Sequence, residues 1–369
     1  MLIERLKLNN YRNYESLDIK FNKGFNVLTG DNAQGKTGVL EAIFLCALGR
    51  SHRTSRDSEL IRYNCAGGYV GINLKNNQGD ESVEIKLRIG ENKKVFVNKI
   101  ECKKIGELMG VLNTVMFSPE DLSLVKGSPQ ERRRFLDMEI SQLSSEYFYT
   151  LQRYNKVLKQ RNAVLKDDEN MYGKGVLAIY DEQLSRLGSK ITVKRREMTD
   201  TLSTVAHDIH KMISSSKEFL EIQYKADAGS FEKEDDIFDY MMESLIKNSS
   251  EDIRRGHTST GPHRDDIIIK INGNDVRTYG SQGQQRTAAL SLKLSEIALV
   301  RKIKGESPIL LLDDVFSELD DERQNLLIEA TRDCQCFLSC TSINSLKQTQ
   351  IENVTVYECI NGTLKQKSI

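Results

Sequence analysis

The chain has 369 residues with 53 basic and 53 acidic side chains, so no overall basic field exists and any contact with nucleic acid must come from a local patch. That length allows two lobes, each with its own core. No stretch is apolar over the ~20 residues a bilayer needs, the start Met1-Leu2-Ile3-Glu4-Arg5 lacks the order of a signal peptide, and the cysteines lack paired C-x₂-C zinc spacing, so a soluble cytoplasmic protein with free thiols and no membrane partner is expected.

Leu2 to Leu8 and Ser16 to Phe21 read as strands, and Gly24 to Leu28 as a short buried strand entering Gly30-Asp31-Asn32-Ala33-Gln34-Gly35-Lys36-Thr37. These eight residues fit the G-x-x-x-x-G-K-[ST] phosphate loop. Its glycines let backbone N–H groups approach phosphate oxygens, Lys36 reaches the β- and γ-phosphates, and the Thr37 hydroxyl ligates Mg²⁺. Val39 to Leu48 is an almost unbroken apolar run closed by Gly49, which predicts a buried helix with a glycine C-cap. Its N-terminus adds a partial positive charge to that of Lys36. An ordinary glycine-rich turn before a helix is the competing reading, and the strand–loop–helix context weighs against it.

Tyr69 to Lys75, Val83 to Ile89 and Lys94 to Val97 alternate apolar and polar residues like an antiparallel sheet, completing an N-terminal nucleotide-binding part over residues 1–127. Ser128-Pro129-Gln130-Glu131 combines a capping box with proline at the first helical position and opens a helical lobe over 128–260. Tyr147, Leu151, Tyr154, Leu158 and Leu165 form one helical stripe. Leu177, Tyr180, Leu184, Leu187 and Ile191, continued by Met198, Leu202, Val205, Ile209 and Met212, form a second. Joined by the polar turn Lys166 to Gly175, they predict an antiparallel hairpin, a short coiled arm, with a pair of ordinary core helices as the alternative. Phe219 to Tyr224 reads as a strand, Glu232 to Asp236 as an acidic linker before another amphipathic helix, and Ile267 to Ile271, Asn272-Gly273 and Val276 to Tyr279 as a hairpin.

Residues 261–369 complete the nucleotide lobe. Ser281-Gln282-Gly283-Gln284-Gln285 opens a helix running to about Ile303, with Ser281 and Gly283 placed to make a second anion site. Ile309 to Leu312 is a strand buried on both faces that delivers Asp313 and Asp314 into the crevice where α/β sheets bind ligands. Asp313 is expected to hold Mg²⁺, directly or through water, and Asp314 to polarise the attacking water; capping of the next turn is the competing role for both. Cys334, Cys336 and Cys340 alternate in an apolar stretch and predict a buried strand.

Leu310 to Asp320 resembles the Walker B and D-loop segment of ATP-binding-cassette ATPases, and Ser281 to Gln285 their signature loop. Asn9-Asn10-Tyr11-Arg12-Asn13-Tyr14, Gly49-Arg50-Ser51-His52-Arg53-Thr54, Phe117-Ser118-Pro119-Glu120-Asp121-Leu122, Gly127-Ser128-Pro129 through Arg132-Arg133-Arg134-Phe135-Leu136-Asp137, and Gly261-Pro262-His263-Arg264-Asp265-Asp266 resemble the RecF family of bacterial recombination mediators. The resemblance implies an α/β fold: an ABC-type P-loop ATPase head of the SMC-like superfamily, with a mixed sheet, an antiparallel β subdomain and an inserted helical arm lobe. It implies ATP and Mg²⁺ as cofactors, held in cis by Gly30, Asp31, Asn32, Ala33, Gln34, Gly35, Lys36 and Thr37, with Thr37 and Asp313 on the metal and Lys36, Asp313 and Asp314 as the catalytic set. Ser281, Gly283 and Gln284 would serve the nucleotide of a second chain, giving an ATP-dependent homodimer.

A weak, DNA-stimulated ATPase acting as a switch would follow, bound to single-stranded and gapped duplex DNA and working with RecR and RecO type mediators in recombinase loading, replication restart and SOS induction. The alternatives are a soluble motor subunit of another complex and an SMC-like chromosome-organising ATPase, which would need a much longer coiled arm. The chain departs from transporter cassettes in two places: Cys340-Thr341-Ser342 stands where they have a switch histidine, and Phe117 to Glu120 where they have the Q-loop glutamine. His263 is expected to be structural, fixing the Gly261-Pro262 turn, with a catalytic role as the alternative. Arg50, Arg53, Arg56 and Arg62, Lys103 and Lys104, Arg132 to Arg134, Lys194 to Arg196, and Arg254 and Arg255 are candidate DNA patches, though each cluster singly fits a solvated face or ion-pair partner better.

Overall fold

Alternating apolar and polar residues carry the chain through β1 (Leu2–Tyr11) and β2 (Tyr14–Lys20) into the buried β3 (Phe25–Thr29) and helix α1 (Lys36–Leu48). Strands β4 (Gly67–Asn76), β5 (Gly79–Arg88), β6 (Lys94–Val97), β7 (Ile100–Glu101) and β8 (Thr114–Phe117) follow. The middle of the chain is mostly helical: α2 (Ser123–Lys126), α3 (Pro129–Leu143), α4 (Ser145–Leu165), α5 (Gly173–Ile213), β9 (Leu220–Lys225), α6 (Glu234–Lys247), α7 (Ser249–Arg255), β10 (Asp266–Ile271), β11 (Asn274–Asp275) and α8 (Val276–Tyr279). Then come α9 (Gln282–Lys304), β12 (Ile309–Asp313), α10 (Asp321–Thr331), β13 (Cys336–Cys340), β14 (Val354–Ile360) and β15 (Thr363–Lys367).

The computed structural model describes residues 1–166, 173–342 and 353–367, so most of the turn expected at Lys166 to Gly175 lies outside the described residues. The chain divides into two compact units, Met1–Asp121 with Leu290–Ile369, and Leu122–Ala289. The second division falls within α9, later than the 260/261 expected from sequence, because β10 pairs with β9 along its whole length and so belongs with the helical unit.

In the first unit an antiparallel sheet has the order β2-β1-β4-β5-β6-β7, and a mixed sheet the order β15-β14-β3-β13-β12-β8. In the mixed sheet only β15 runs antiparallel to its neighbour. Helix α1 touches β12 and β13 of the mixed sheet and β4 and β5 of the antiparallel one. Every residue from Gly38 to Leu48 is therefore buried, which explains why α1 is apolar all round rather than striped. Gly49 ends it in the left-handed region at φ 65°, donating its N–H to Leu45 O at 2.8 Å.

In the second unit α5 is one helix of 41 residues, packed against α4, α6 and β9. The expected stripe holds in its first half, where Leu177, Leu184, Leu187 and Ile191 are buried. In the second half the buried line shifts to Thr199, Leu202, Ala206, His210 and Ile213, and Met212 is 68% exposed. A helix covered by several elements follows their positions rather than a single coiled seam. Two local readings are also corrected. Glu234, Asp235 and Asp236 are the first turn of α6 rather than a linker, placed where the helix dipole favours carboxylates. Val276–Tyr279 is a helix rather than the second arm of a hairpin, because the Asp275 carboxylate accepts the N–H groups of Arg277 and Thr278 and caps a helical turn.

Candidate nucleotide-binding site

The turn from β3 to α1 is built from backbone that ordinary residues avoid: φ is 142° at Gly30, 66° at Ala33 and 116° at Gly35. A Cβ on Gly30 would lie 2.4 Å from Cys359 O. Lys36 folds back across the loop, its ammonium donating to Gly30 O and, at 2.9 Å, to Asp31 O. The β1–β2 turn supports the loop from outside: Asn13 Nδ2 donates to Ala33 O at 2.7 Å and the Tyr14 hydroxyl to Gly35 O at 3.1 Å. Asp31, Asn32 and Ala33 are exposed at its tip. Beside it opens a cavity of about 600 Å³, lined by Thr29, Gly30, Asp31, Gln34, Thr341 and Glu358 among others.

The carboxylates arrive on β12. Thr37 Oγ1 donates to Asp313 Oδ1 at 3.1 Å, so the hydroxyl and carboxylate expected to share a metal do meet. Asp313 lies beside Ser339 on β13, whose hydroxyl donates to the same Oδ1 at 2.6 Å and accepts the Asp314 N–H at 3.0 Å. Ser339 thus fixes both acidic residues, a role the sequence did not signal. Asp314 sits just past the strand in the left-handed region at φ 54°, exposed, and its side chain makes no capping bond to the following turn. The cap on α10 is Asp320, which accepts the Arg323 N–H at 3.0 Å. Two hard oxygen donors, Thr37 Oγ1 and an Asp313 carboxylate oxygen, side by side at the C-terminal end of a parallel strand suit Mg²⁺.

Glu41, one turn beyond Thr37 and fully buried, anchors α1. Arg12 Nε and Nη2 grip it at 2.7 and 2.6 Å, and Ser51 Oγ donates to it at 2.5 Å. Burial pushes its carboxyl pKa up, but Arg12 and Ser51 prevail and hold it below the usual range.

The Ser281 segment belongs to the second unit. Ser281, Gln282 and Gly283 are exposed, with nothing but Ser281 Oγ, at 3.9 Å, near a Cβ built on Gly283. Gln284 N–H donates to Ser281 Oγ at 3.2 Å, while the Gln284 side chain accepts the Ser281 N–H at 2.9 Å and donates to Glu218 at 2.8 Å. The Gln284 amide is thus engaged within the unit, whereas Ser281 and Gly283 face solvent.

Most members of the basic clusters have acidic or carbonyl partners within the chain, buried for Arg132 and Arg195 and half-buried or at the surface for the rest. Arg132 makes two bonds to Asp266, Arg195 two to Asp137, and Arg133 donates to Asp265 O. Arg254 and Arg255 pair with Glu251, Arg56 with Glu59, Arg62 with Glu15 and Lys194 with Glu197. Arg53, Lys103 and Arg134 are exposed.

His263 hydrogen-bonds to the Tyr154 hydroxyl through Nδ1 at 2.7 Å and to Thr258 O through Nε2 at 3.0 Å, both within the second unit. With Nε2 as the donor, Nδ1 accepts from Tyr154 and the ring is neutral. Burial lowers its pKa to about 4, well below the unfolded value. A depressed base stabilises the fold above its unfolded pKa and loses that contribution as pH falls through the folded one. Stability is therefore expected to fall between about pH 6.5 and 4. Urea titrations at several pH values check this, and a His263→Gln variant that keeps the same acid slope would disprove it.

A phosphate loop and a strand-end carboxylate pair in the unit that carries these two sheets, with an exposed serine-glycine loop at the start of a long helix in the other, define an ABC-type P-loop ATPase head. The family model described as RecF/RecN/SMC N terminal domain matches residues 2–365. The chain belongs to the RecF family. It is 47% identical over 371 residues to the DNA replication and repair protein RecF of Alkaliphilus oremlandii, covering 99% of this chain and 100% of the relative. It is 44% identical over 368 residues to that of Clostridium acetobutylicum, with the same coverage. A solved structure of the recombination mediator protein RecF-ATP in the RecFOR pathway is 36% identical, with a TM-score of 0.92 over 100% of this chain and 98% of that one. An SMC head bound to the C-winged helix domain of ScpA, 17% identical with a TM-score of 0.56, shares the fold. Among the described residues no helix is long and apolar enough to cross a membrane.

Proposed function

We propose that this chain is an ATP-dependent DNA-binding protein of DNA repair in which nucleotide closes two copies into a dimer on DNA and hydrolysis releases them. The observation that carries the reading is the meeting of Thr37 and Asp313 at the mouth of the phosphate loop. Lys36 exchanges the carbonyls of Gly30 and Asp31 for the β- and γ-phosphates, and the loop N–H groups take the remaining oxygens. Mg²⁺, held by Thr37 and Asp313, would neutralise phosphate charge when bound. Asp314 accepts a proton as water oxygen bonds to the γ-phosphorus and the bond to the ADP oxygen breaks. Ser281 and Gly283 of a second copy complete the γ-phosphate site, so ATP favours the closed dimer by binding it more tightly than the open chain.

The reading extends to gapped duplex and single-stranded DNA as ligand and to RecO and RecR type proteins as partners, with roles in recombinase loading, replication restart and SOS induction; its support is the family and the names its relatives carry. DNA binding measured with ATP and with ADP across salt concentrations tests the coupling. A steep salt dependence seen only with ATP is expected, and equal binding with both nucleotides overturns it.

Ser281→Arg is expected to spare nucleotide binding and to weaken ATP-dependent dimerisation by about 100-fold, since a bulky side chain replaces a hydroxyl where two surfaces must close. Analytical ultracentrifugation with Mg-ATP reads this directly. Dimerisation at the wild-type affinity would remove Ser281 from the interface.

A further inference from the structure

The phosphate loop is also gripped by a turn from near the other end of the sequence. β14 runs parallel to β3, with Glu358 beside Thr29, so the β14–β15 turn falls opposite the loop. Asn361 N–H donates to Gln34 Oε1 at 2.6 Å, and Gly362 N–H to Gln34 O at 3.3 Å. Both turn residues have positive φ, 47° and 70°. Gly362 leaves no room for a side chain, because a Cβ there would lie 2.2 Å from Asn13 O. Asn13 in turn holds Ala33 O through its side chain. Two consecutive loop carbonyls, at Ala33 and Gln34, are thereby fixed by groups outside the loop. These are the peptide units between the loop's positive-φ positions at Ala33 and Gly35.

We propose that the Asn361-Gly362 turn is a positioning clamp for the nucleotide, acting through Gln34 to hold the phosphate loop in its cradle shape before ATP arrives. This rests on the nucleotide reading given above. A glycine-containing loop otherwise loses conformational freedom at the moment of binding, and every kilocalorie spent there weakens affinity. The clamp transfers that ordering cost to folding. Gln34 is half-buried and Gly362 buried against the β1–β2 turn, so the clamp acts from outside the phosphate position.

The test uses the full chain and a fluorescent ATP analogue. Gln34→Leu keeps an apolar stem but removes the acceptor, and Gly362→Ala forces the turn away from Asn13. Each is expected to weaken analogue binding about tenfold, near the top of the range for one intramolecular hydrogen bond, and the double variant is expected to be no weaker than the worse single one. Gly90→Ala serves as the control, because Gly90 also has positive φ, at 79°, but has open space around it; it should bind like wild type. Gln34→Leu changes only one side chain and carries the test alone should Gly362→Ala not fold. Unchanged affinity in Gln34→Leu, or losses that multiply independently in the double variant, would overturn the clamp. Absence of saturable binding by the wild type, equal to that of Lys36→Ala, would overturn the nucleotide reading and the clamp with it.

Discussion

Replacing Asp314 by asparagine is expected to slow ATP hydrolysis by about 100-fold or more, the usual share of a general base, while ATP still binds and the dimer accumulates. The fold should tolerate the change. Asp314 is exposed, its side chain makes no N-cap bond to the turn that follows it, and asparagine keeps its size and accepts the left-handed backbone found at φ 54° as readily as aspartate. Its N–H to Ser339 Oγ survives, so Asp313 keeps its orientation. What is lost is the ability to take a proton from water. Light scattering with saturating Mg-ATP should report twice the monomer mass for the variant, with single-turnover hydrolysis near the limit of detection. A monomer mass that stays unchanged would sink the cycle of ATP-driven dimer closure and release by hydrolysis, and a wild-type hydrolysis rate would move the base elsewhere.

The parts of the site that sequence made legible are the ones written in consecutive residues. The loop Gly30 to Thr37 and the run Ile309 to Asp314 each carry their chemistry within one short segment, and strand or helix context follows from the apolar residues beside them. Ser339 was missed because its significance lies only in being next to Asp313 across a parallel pair, and one serine in an apolar strand has no pattern of its own. The Asn361-Gly362 turn was missed for the same reason: the contact with Gln34 spans 327 residues. In the helical unit the apolar stripe was readable only in part, with Leu151 and Leu158 half-buried and Met212 exposed, and its charged members were not readable at all. The buried face of α4 contains Arg161 along with Tyr147, Tyr154, Val157 and Leu165, and a periodicity of apolar residues treats an arginine as solvent-facing. The Asn272-Gly273 pair does make a hairpin between β10 and β11, but the second arm stops after Asn274 and Asp275, where the Asp275 cap turns Val276–Tyr279 into a helix. Both signals were present, and the cap could be weighed only once its N–H partners were in place.

Arg161 underlies the largest expected loss of stability. It is fully buried on α4, donating from Nε to Asp181 on α5 at 2.7 Å, and from Nη1 to Asp252 on α7 at 2.7 Å and to Thr258 at 2.9 Å. Asp252 also accepts the Ser259 N–H at 3.0 Å. One cation therefore compensates two buried carboxylates and ties together three helices. Arg161→Met removes that cation while filling much of its volume, leaving uncompensated buried acids, a defect that costs about 3–5 kcal/mol. Against a total stability of roughly 5–15 kcal/mol this is severe. Burial already raises the Asp181 pKa despite Arg161, and without the arginine it should rise further. A carboxyl whose folded pKa exceeds its unfolded value stabilises the fold below the unfolded value, and that contribution is lost as pH rises through the folded one. The variant's deficit should therefore be greatest near neutrality and shrink as pH falls toward about 4, the unfolded aspartate value. Hydrogen exchange at the α4 and α5 amides, followed at pH 7 and pH 5, localises the effect to this unit. A deficit below about 1 kcal/mol, or one that grows on acidification, would mean that Asp181 and Asp252 are not held as charged partners of Arg161.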